Sequence, residues 1–241
     1  MYKKKKKKMN GKSIGYDNQR LSLKPIQPLT KNQHKTFDAW YDDKNLLLHG
    51  YAGTGKTFIS LYLALKELFE LDTGYNKIYI LRSAVATRNL GFMPGDLSEK
   101  IEVFEAPYVS ICTELTGRSD AYETFKKSGI LDFVSTSYIR GITLHDCILV
   151  VDEIQNMDWG ELSSVITRMG ENCSIIFCGD FRQSDFRGRQ KESRKDVMNF
   201  MKVLENMIDD FTMIEFGVDD IVRNKMVKNF LVTSDKLGYT L

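Results

Sequence analysis

One short stretch of this chain restricts its possible folds more than any other. Residues 46–60 read LLLHGYAGTGKTFIS, an apolar run followed by a glycine-rich turn and then a helical pattern. The turn fits the pattern GxxxxGK followed by Ser or Thr. Its glycines let successive backbone N–H groups point inward, and the helix that follows adds the positive end of its dipole. The stretch therefore predicts a strand, a phosphate-binding loop and a helix in direct succession.

The side chains of this loop suit the phosphates and the metal ion of a nucleoside triphosphate. Lys56 is expected to reach the terminal phosphates, and the Thr57 hydroxyl is expected to supply one ligand to Mg²⁺. The loop residues predicted to bind the nucleotide are Gly50, Ala52, Gly53, Thr54, Gly55, Lys56 and Thr57. A nucleotide and Mg²⁺ are thus the cofactors expected at this site.

Two other apolar runs indicate how the sheet is built. CILVV at 147–151 and IIFC at 175–178 are apolar without interruption, so both faces of these strands must be covered. Strands are predicted at 45–50, 77–83, 131–136, 147–153, 173–180 and 211–216, and helices after a Thr30 cap and at about 57–71, 98–116, 158–169, 196–208 and 219–231. This alternation predicts an α/β fold with a mostly parallel sheet sandwiched by helices.

Length and charge fit one such domain with a basic lead-in. At 241 residues, with 42% hydrophobic and 27% charged residues, the chain has the balance of an ordinary globular protein. Residues 1–27 lack a hydrophobic period and are predicted to form a disordered tail, which leaves 28–241 as the folded domain. The net charge of +2 depends on the run Lys3–Lys8, because the remainder is weakly acidic. That run could be an electrostatic arm for nucleic acid or a solvated tail.

The cysteines and the apolar runs indicate the cellular location expected for the chain. Four cysteines, at 112, 147, 173 and 178, form no CxxC pair, which favours a reducing cytoplasm. No apolar run approaches the roughly 18 residues of a membrane span, so no membrane association is expected.

The strand predicted at 147–153 ends in two adjacent carboxylates. Because ligands of open α/β sheets bind at the carboxyl ends of the strands, Asp152 is predicted to hold Mg²⁺, and Glu153 to orient and deprotonate an attacking water. An acidic cap of the next helix is the alternative for this pair taken alone. A water-activating Glu favours hydrolysis over transfer to a second substrate, so a small-molecule kinase is the weaker hypothesis.

A third strand, at 173–180, ends in further polar residues. Asp180 and Gln183 are placed just beyond its carboxyl edge, where they could hydrogen-bond the γ-phosphate or the attacking water. Taken alone, Gly-Asp after a strand is also a common turn.

Five segments, in this order, resemble the signature segments of the PhoH-like family. They read GYAGTGKT at 50–57, RSAVATRNLGFMPGD at 82–96, SYIRGITLHDCILVVDEIQN at 137–156, GDFRQSD at 179–185 and DDIVRN at 219–224. The resemblance runs from about residue 28 to 231 and implies a single RecA-like ATPase domain, similar to the first motor domain of superfamily 1 helicases. It also implies ATP as the nucleotide and single-stranded nucleic acid as the partner, with RNA favoured over DNA. A homo-oligomeric ring would let a neighbouring subunit supply the second face of the site.

The resemblance gives roles to three more side chains. Gln33 would hydrogen-bond the adenine edge, Arg82 would contact a nucleic-acid strand, and Arg223 would stabilise charge on the γ-phosphate. Read without the resemblance, Gln33 is an ordinary surface residue of a first helical turn. Arg223 could likewise pair with Asp219 on the surface of a helix.

A basic loop and one further arginine are candidates for nucleic-acid contact. The segment 181–195 carries six basic residues, among them Arg187 and Arg189. It could grip a nucleic-acid backbone, reach into a neighbouring subunit, or be an exposed loop of mixed charge, and Arg140 could serve either of the first two roles. The leading hypothesis is an ATPase coupled to single-stranded nucleic acid. The rival is a slow nucleotide-dependent switch that recruits a protein partner such as a nuclease.

Overall fold

The computed structural model describes residues 22–70, 73–83, 97–180 and 189–238, and the side chains of 70, 97–101 and 189–194 lie outside the description. Six strands and seven α-helices lie within these ranges. The strands are β1 Asn45–Gly50, β2 Lys77–Arg82, β3 Leu131–Ser135, β4 Cys147–Val151, β5 Cys173–Gly179 and β6 Phe211–Phe216. The helices are α1 Lys31–Tyr41, α2 Lys56–Glu70, α3 Leu97–Thr116, α4 Ala121–Lys127, α5 Trp159–Thr167, α6 Arg189–Glu205 and α7 Lys225–Lys236.

The six strands form one sheet in the order β3-β2-β4-β5-β1-β6, and every pair is parallel. In the register of β1 with β5, Leu47 lies opposite Phe177, and in the register of β4 with β5, Leu149 lies opposite Ile175. The prediction of a mostly parallel sheet is confirmed. Because parallel neighbours end at the same edge, the segments that follow β1, β4 and β5 meet there.

Two hydrophobic layers cover the sheet, one on each face. Side chains of β4 alternate between them, since Ile148 and Val150 belong to the first layer and Leu149 and Val151 to the second. Helices α1 to α4 contribute to the first layer, and α5 and α6 contribute to the second. This burial from both sides explains why the sequence of β4 is apolar without interruption.

Two helix starts show how local sequence fixes these elements. The Thr30 side chain caps α1 by accepting a hydrogen bond from the Gln33 N–H, as predicted. α5 begins with a capping box, in which Asp158 accepts from the Glu161 N–H and the Glu161 carboxylate accepts from the Asp158 N–H. The second cap also places the Glu161 carboxylate close to the sheet.

The predicted start of the last helix, at Asp219, is wrong. Val218–Asp220 forms only a short 3₁₀ turn, because the Asp220 side chain turns back to accept from the Gly217 N–H at 2.8 Å. α7 begins at Lys225, after an Asn224 side chain that caps it by accepting from a backbone N–H. The residues between these two elements therefore have no helical conformation.

Two other helices depart from the sequence pattern. α6 begins at Arg189, well before the expected residue 196. α4 was not predicted, because its seven residues are too few to show a helical period. Across the described ranges, no helix combines the length and the apolar character needed to cross a membrane.

The packed core begins ahead of α1. Leu23 and Ile26 pack against the first hydrophobic layer, and the Lys24 N–H donates to the Leu115 carbonyl at 2.8 Å. These contacts lie inside the segment for which the sequence predicts a disordered tail.

Candidate nucleotide site

The loop between β1 and α2 curls tightly around its own backbone. Gly50 has φ +116° and Gly55 has φ +83°, conformations that glycine adopts readily and other residues rarely. A Cβ on Gly50 would lie 2.1 Å from the Phe216 carbonyl oxygen, so only glycine fits there. The Thr54 hydroxyl closes the turn by donating to the Tyr51 carbonyl at 2.9 Å. The backbone thus has the shape that the glycines of the sequence pattern predict.

Lys56 lies buried inside this loop. Its ammonium group donates to the carbonyls of Gly50 at 3.0 Å and Tyr51 at 2.7 Å, and the residue is 9% exposed. Burial lowers the pKa of Lys56, while the Asp180 carboxylate acts in the opposite direction. In the described part of the chain, no carboxylate lies within ion-pair distance of this ammonium. A buried cation bonded to neutral carbonyls is suited to receive an anion such as phosphate.

The phosphate loop and the carboxylate pair meet at one hydrogen bond. The Thr57 hydroxyl donates to Asp152 Oδ1 at 3.0 Å, and Asp152 is 6% exposed. Its other oxygen, Oδ2, accepts from the Tyr108 hydroxyl at 2.8 Å. Burial and the Asp152 carboxylate raise the pKa of Tyr108 well above its ordinary value, so this hydroxyl keeps the proton that it donates. Hydroxyl and carboxylate oxygens are ligands that Mg²⁺ prefers, so Thr57 and Asp152 fit that ion.

Glu153 is held from two sides next to Asp152. Its backbone has φ +56°, a left-handed conformation that is uncommon outside glycine and clusters at functional sites. Oε1 lies 3.3 Å from Arg82 Nη2, and Oε2 accepts from Gln155 Nε2. Burial raises the pKa of Glu153 and the Asp152 carboxylate adds to this, whereas Arg82 opposes it. A carboxyl group with a raised pKa is a better proton acceptor for water.

Gln155 connects Glu153 to the end of β5. Its side-chain oxygen accepts from the Asp180 N–H at 3.2 Å, and the residue is 2% exposed. One buried amide therefore touches the segments after both β4 and β5. Gln155 was not predicted from the sequence, where the only signal is a polar residue two positions after the acidic pair.

Arg82 lies at the end of β2, against the same carboxylates. Its side chain is 16% exposed, and its guanidinium carbon lies 5.7 Å from the ring centroid of Phe104 and 5.9 Å from that of Tyr108. Two aromatic rings of α3 thus hold the guanidinium where it meets Glu153. A contact between Arg82 and nucleic acid is implied by the family resemblance alone.

Gln33 lies against the phosphate loop and is 4% exposed, so its interpretation as an ordinary surface residue is wrong. Its side-chain oxygen accepts from the Leu29 N–H at 2.7 Å, and its Nε2 donates to the Thr54 carbonyl at 3.1 Å. A Cβ on Gly55 would lie 3.4 Å from this Nε2. The amide keeps one further N–H and one further lone pair for other partners.

Arg223 packs over the turn formed by Ala52 and Gly53. A Cβ on Gly53 would lie 2.8 Å from Arg223 Cγ, and the Val222 N–H donates to the Gly53 carbonyl at 3.1 Å. Because Arg223 lies between the 3₁₀ turn and α7, the helical pairing with Asp219 does not apply.

A buried carboxylate, Asp220, anchors the segment that carries Arg223. Asn32 Nδ2 of α1 donates to Asp220 Oδ2 at 2.7 Å. Burial favours the neutral acid, but hydrogen bonds from Thr30, Asn32 and Gly217 outweigh it and lower the pKa of Asp220. This residue was not predicted as functional, because a second Asp after Asp219 is also typical of a helix cap.

The remaining candidate residues lie apart from this cluster or outside the residues that the structure describes. Arg140 is exposed in the segment that follows β3, together with Tyr138, which is 63% exposed. Gln183 and Arg187 lie outside the described residues. Arg189 begins α6, and its side chain is also outside the description.

The fold and the loop define a class. The six-stranded sheet is parallel, a phosphate loop follows β1, and a Thr57–Asp152 contact joins that loop to the end of β4. Together these features define a RecA-like P-loop nucleotide-binding fold. The chain belongs to the PhoH-like protein family, whose profile matches residues 25–234.

Curated relatives and a solved structure show the extent of the similarity. A PhoH-like protein of Bacillus subtilis (strain 168) is 33% identical over 192 residues, which cover 78% of this chain and 57% of that protein. A PhoH-like protein of Mycobacterium leprae (strain TN) is 31% identical over 211 residues, covering 86% of this chain and 58% of that protein. The chain therefore spans a little over half the length of these relatives. The large terminase of a thermophilic bacteriophage matches with a TM-score of 0.49 and 13% identity, covering 85% of this chain and 50% of that chain.

Proposed function

We propose that this chain is a Mg²⁺-dependent ATPase. The main support is the 3.0 Å hydrogen bond from the Thr57 hydroxyl to Asp152 Oδ1. Glu153 follows Asp152 directly in the sequence. This bond joins a phosphate loop to a strand-end carboxylate across 95 positions of sequence. Phosphoryl transfer from a nucleotide with a bound metal ion requires both of these parts in one place.

The side chains at the carboxyl-end edge of the sheet have separate roles in the proposed reaction. Lys56 and the N–H groups of its loop hold the β- and γ-phosphates, and Thr57 and Asp152 hold the metal. A bound Mg²⁺ ion supplies positive charge that neutralises the phosphate oxygens. Glu153 orients a water and accepts its proton as the water oxygen attacks the γ-phosphorus and the bond to the ADP oxygen breaks.

Two more side chains complete the proposed site. Arg223, which lies over Gly53 of the loop, brings a positive charge toward the terminal phosphate. Gln33 lies beside Gly55 with one N–H and one lone pair to spare, a donor and an acceptor that match N7 and the amino group of adenine. ATP is the nucleotide that this pairing favours.

Phosphate release from ATP tests the proposal, measured with Mg²⁺ and with EDTA. The wild type should release phosphate only with Mg²⁺, and Lys56→Ala should lose both ATP binding and hydrolysis. Glu153→Gln should keep ATP binding and be at least about a hundredfold slower, because a general base contributes roughly 10²- to 10⁴-fold. Glu171→Gln, at an exposed glutamate, is the matched control and should equal the wild type. Equal rates in Glu153→Gln and Glu171→Gln would contradict the proposal.

We further propose that hydrolysis is coupled to single-stranded nucleic acid, with RNA favoured over DNA. The preference for RNA comes from the family resemblance. The structural support is the exposed segment after β3, which presents Tyr138 and Arg140 to solvent. Exposed aromatic and arginine side chains are the groups that stack on bases and contact the backbone of single strands.

The coupling is tested by ATPase rates with oligo(U), with oligo(dT) and without polymer. RNA should raise the rate several-fold, and Arg140→Ala should reduce that stimulation. Arg118→Ala is the control, because the Arg118 side chain is partly exposed but pairs with Asp120. A rate that is indifferent to both polymers would contradict the coupling and favour a nucleotide-dependent switch that recruits a protein partner.

A homo-oligomeric ring and a cytoplasmic location are the last parts of the proposal. The ring comes from the family resemblance, in which a neighbouring subunit supplies the second face of the site. The four cysteines are free and buried, which fits a reducing compartment. Native mass spectrometry with ADP present counts the subunits, and a monomer at working concentrations would contradict the ring.

A further inference from the structure

Asp152 has a second hydrogen bond that comes from outside the phosphate loop. The Tyr108 hydroxyl of α3 donates to Oδ2 at 2.8 Å, while the Thr57 hydroxyl donates to Oδ1 at 3.0 Å. Tyr108 is 1% exposed and Asp152 is 6% exposed. Since neither group is open to bulk water, the Tyr108 hydroxyl and Asp152 Oδ2 serve each other as hydrogen-bond partners.

The two bonds together set the rotation of the Asp152 carboxylate. The terminal torsion of an aspartate is broad and roughly two-fold, so a single hydrogen bond leaves the carboxylate plane free to turn. With Oδ2 engaged by Tyr108, Oδ1 faces Thr57. Tyr108 therefore fixes the carboxylate plane in which one oxygen stands beside the Thr57 hydroxyl, the other expected metal ligand.

Tyr108 is itself held in place by its ring. The ring packs against Phe133 of β3 with 5.7 Å between centroids, and the Arg82 guanidinium carbon lies 5.9 Å from the ring centroid. The side chain belongs to the first hydrophobic layer of the sheet. A hydroxyl on a ring that is fixed by packing gives the carboxylate a partner in one position only.

We propose that Tyr108 is a positioning residue for the metal-binding carboxylate Asp152. The proposal rests on the proposed function, because it presupposes that Asp152 holds Mg²⁺ together with the nucleotide. Removal of a hydrogen bond to a metal ligand typically costs about 10- to 100-fold in metal affinity. Without the Tyr108 hydroxyl, Asp152 can turn away from Thr57, while the phosphate loop keeps its own bonds.

The test compares Tyr108→Phe with Tyr122→Phe in the full chain. Tyr122 is a second fully buried tyrosine of the same hydrophobic layer, on α4, so the control also removes one buried hydroxyl. The affinity for a fluorescent ADP analogue is measured with Mg²⁺ and with EDTA. The ratio of the two dissociation constants isolates the contribution of the metal, because damage to the fold weakens binding in both conditions.

The wild type and Tyr122→Phe should bind ADP more tightly with Mg²⁺ than with EDTA. In Tyr108→Phe, the gain in ADP affinity with Mg²⁺ should be about tenfold smaller, and the affinity in EDTA should be unchanged. The electron paramagnetic resonance spectrum of bound Mn²⁺ in the ADP complex should change in Tyr108→Phe and stay the same in Tyr122→Phe.

Three other outcomes are possible, and each of them would overturn the positioning role of Tyr108. If Mg²⁺ raises the ADP affinity of Tyr108→Phe as much as that of the wild type, Tyr108 has no positioning role, and the ATPase proposal stays intact. An equal loss of affinity in Mg²⁺ and in EDTA would show a structural role only. If the wild type itself gains nothing from Mg²⁺, the metal site proposed at Asp152 fails together with the role of Tyr108.

Discussion

Arg82 Nη2 lies 3.3 Å from Glu153 Oε1, so the arginine at the end of β2 pairs with the second carboxylate after β4. Its guanidinium rests over the rings of Phe104 and Tyr108 of α3. The same Tyr108 donates to Asp152. α3 thus touches both members of the carboxylate pair, Asp152 directly and Glu153 through Arg82.

Arg82→Met should slow ATP hydrolysis by about 10- to 100-fold, because small misplacements of a catalytic group have effects of this size. The substitution keeps an apolar stem but removes the partner of Glu153 Oε1. Arg82→Lys should recover only part of the rate, since an ammonium lacks the planar fork that stacks on the aromatic rings. Phosphate release at saturating ATP measures both variants.

The Arg82→Met variant also separates two roles for Arg82. Binding of labelled single-stranded RNA without ATP should be unchanged, because the guanidinium faces Glu153 and the side chain is 16% exposed. Weaker RNA binding together with a wild-type rate of hydrolysis would contradict this expectation. That result would instead support the nucleic-acid contact that the family resemblance implies.

Gly53→Ala should reduce ATP turnover by displacing Arg223. A Cβ at Gly53, where φ is +72°, would lie 2.8 Å from Arg223 Cγ, so the arginine must move. Gly129→Ala is the matched control, since Gly129 has φ +75° and nothing lies within 4 Å of its added Cβ. Both substitutions should cost about 1 to 2 kcal/mol of stability through the left-handed backbone, but only Gly53→Ala should slow hydrolysis. Equal turnover in the two variants, from steady-state kinetics, would contradict the role of Arg223.

Gln33→Ala should weaken both the fold and the choice of nucleotide. The variant loses the bond from the Leu29 N–H and the bond to the Thr54 carbonyl. The free energy of unfolding should therefore fall by about 1 to 3 kcal/mol. In competition binding, the preference of the wild type for ATP over GTP should disappear, and a preserved preference would contradict the adenine contact.

Glu161→Ala should destabilise the chain more than a substitution at the surface. Its carboxylate is 3% exposed and accepts from the hydroxyls of Ser83 and Thr136, at the ends of β2 and β3. Loss of this acceptor should lower the free energy of unfolding by roughly 3 kcal/mol. Exposed Glu171→Ala should stay within about 0.5 kcal/mol of the wild type in the same urea titration. Coincident unfolding curves for the two variants would show that the buried carboxylate is dispensable.

The parts of the fold that sequence predicts are those whose cause is local. β4 is apolar at every position because both of its faces are buried. Gly50 is recognisable in the sequence because it opens the GxxxxGK pattern, and its φ of +116° is one that glycine adopts readily. Lys56 and Thr57 follow within the same motif, so the phosphate side of the site could be read directly from the chain.

The rest depends on contacts between distant positions. Tyr108 and Asp152 are 44 positions apart, and the apolar pattern of α3 does not distinguish this tyrosine from an ordinary core aromatic. The start of the last helix was misplaced because Asp219 looks like a cap. The Asp220 side chain instead turns back to Gly217, a choice that depends on contacts with α1.

Identification of the nucleotide bound to Glu153→Gln tests whether this carboxylate is needed for ATP hydrolysis. Wild type and variant are incubated with Mg²⁺ and ATP, separated from free nucleotide, denatured and analysed by chromatography, with Glu171→Gln as the control. We expect ATP on Glu153→Gln and ADP on the wild type and on Glu171→Gln, because only Glu153 accepts the proton of the attacking water. ADP on Glu153→Gln, formed as fast as on the wild type, would contradict hydrolysis through this carboxylate.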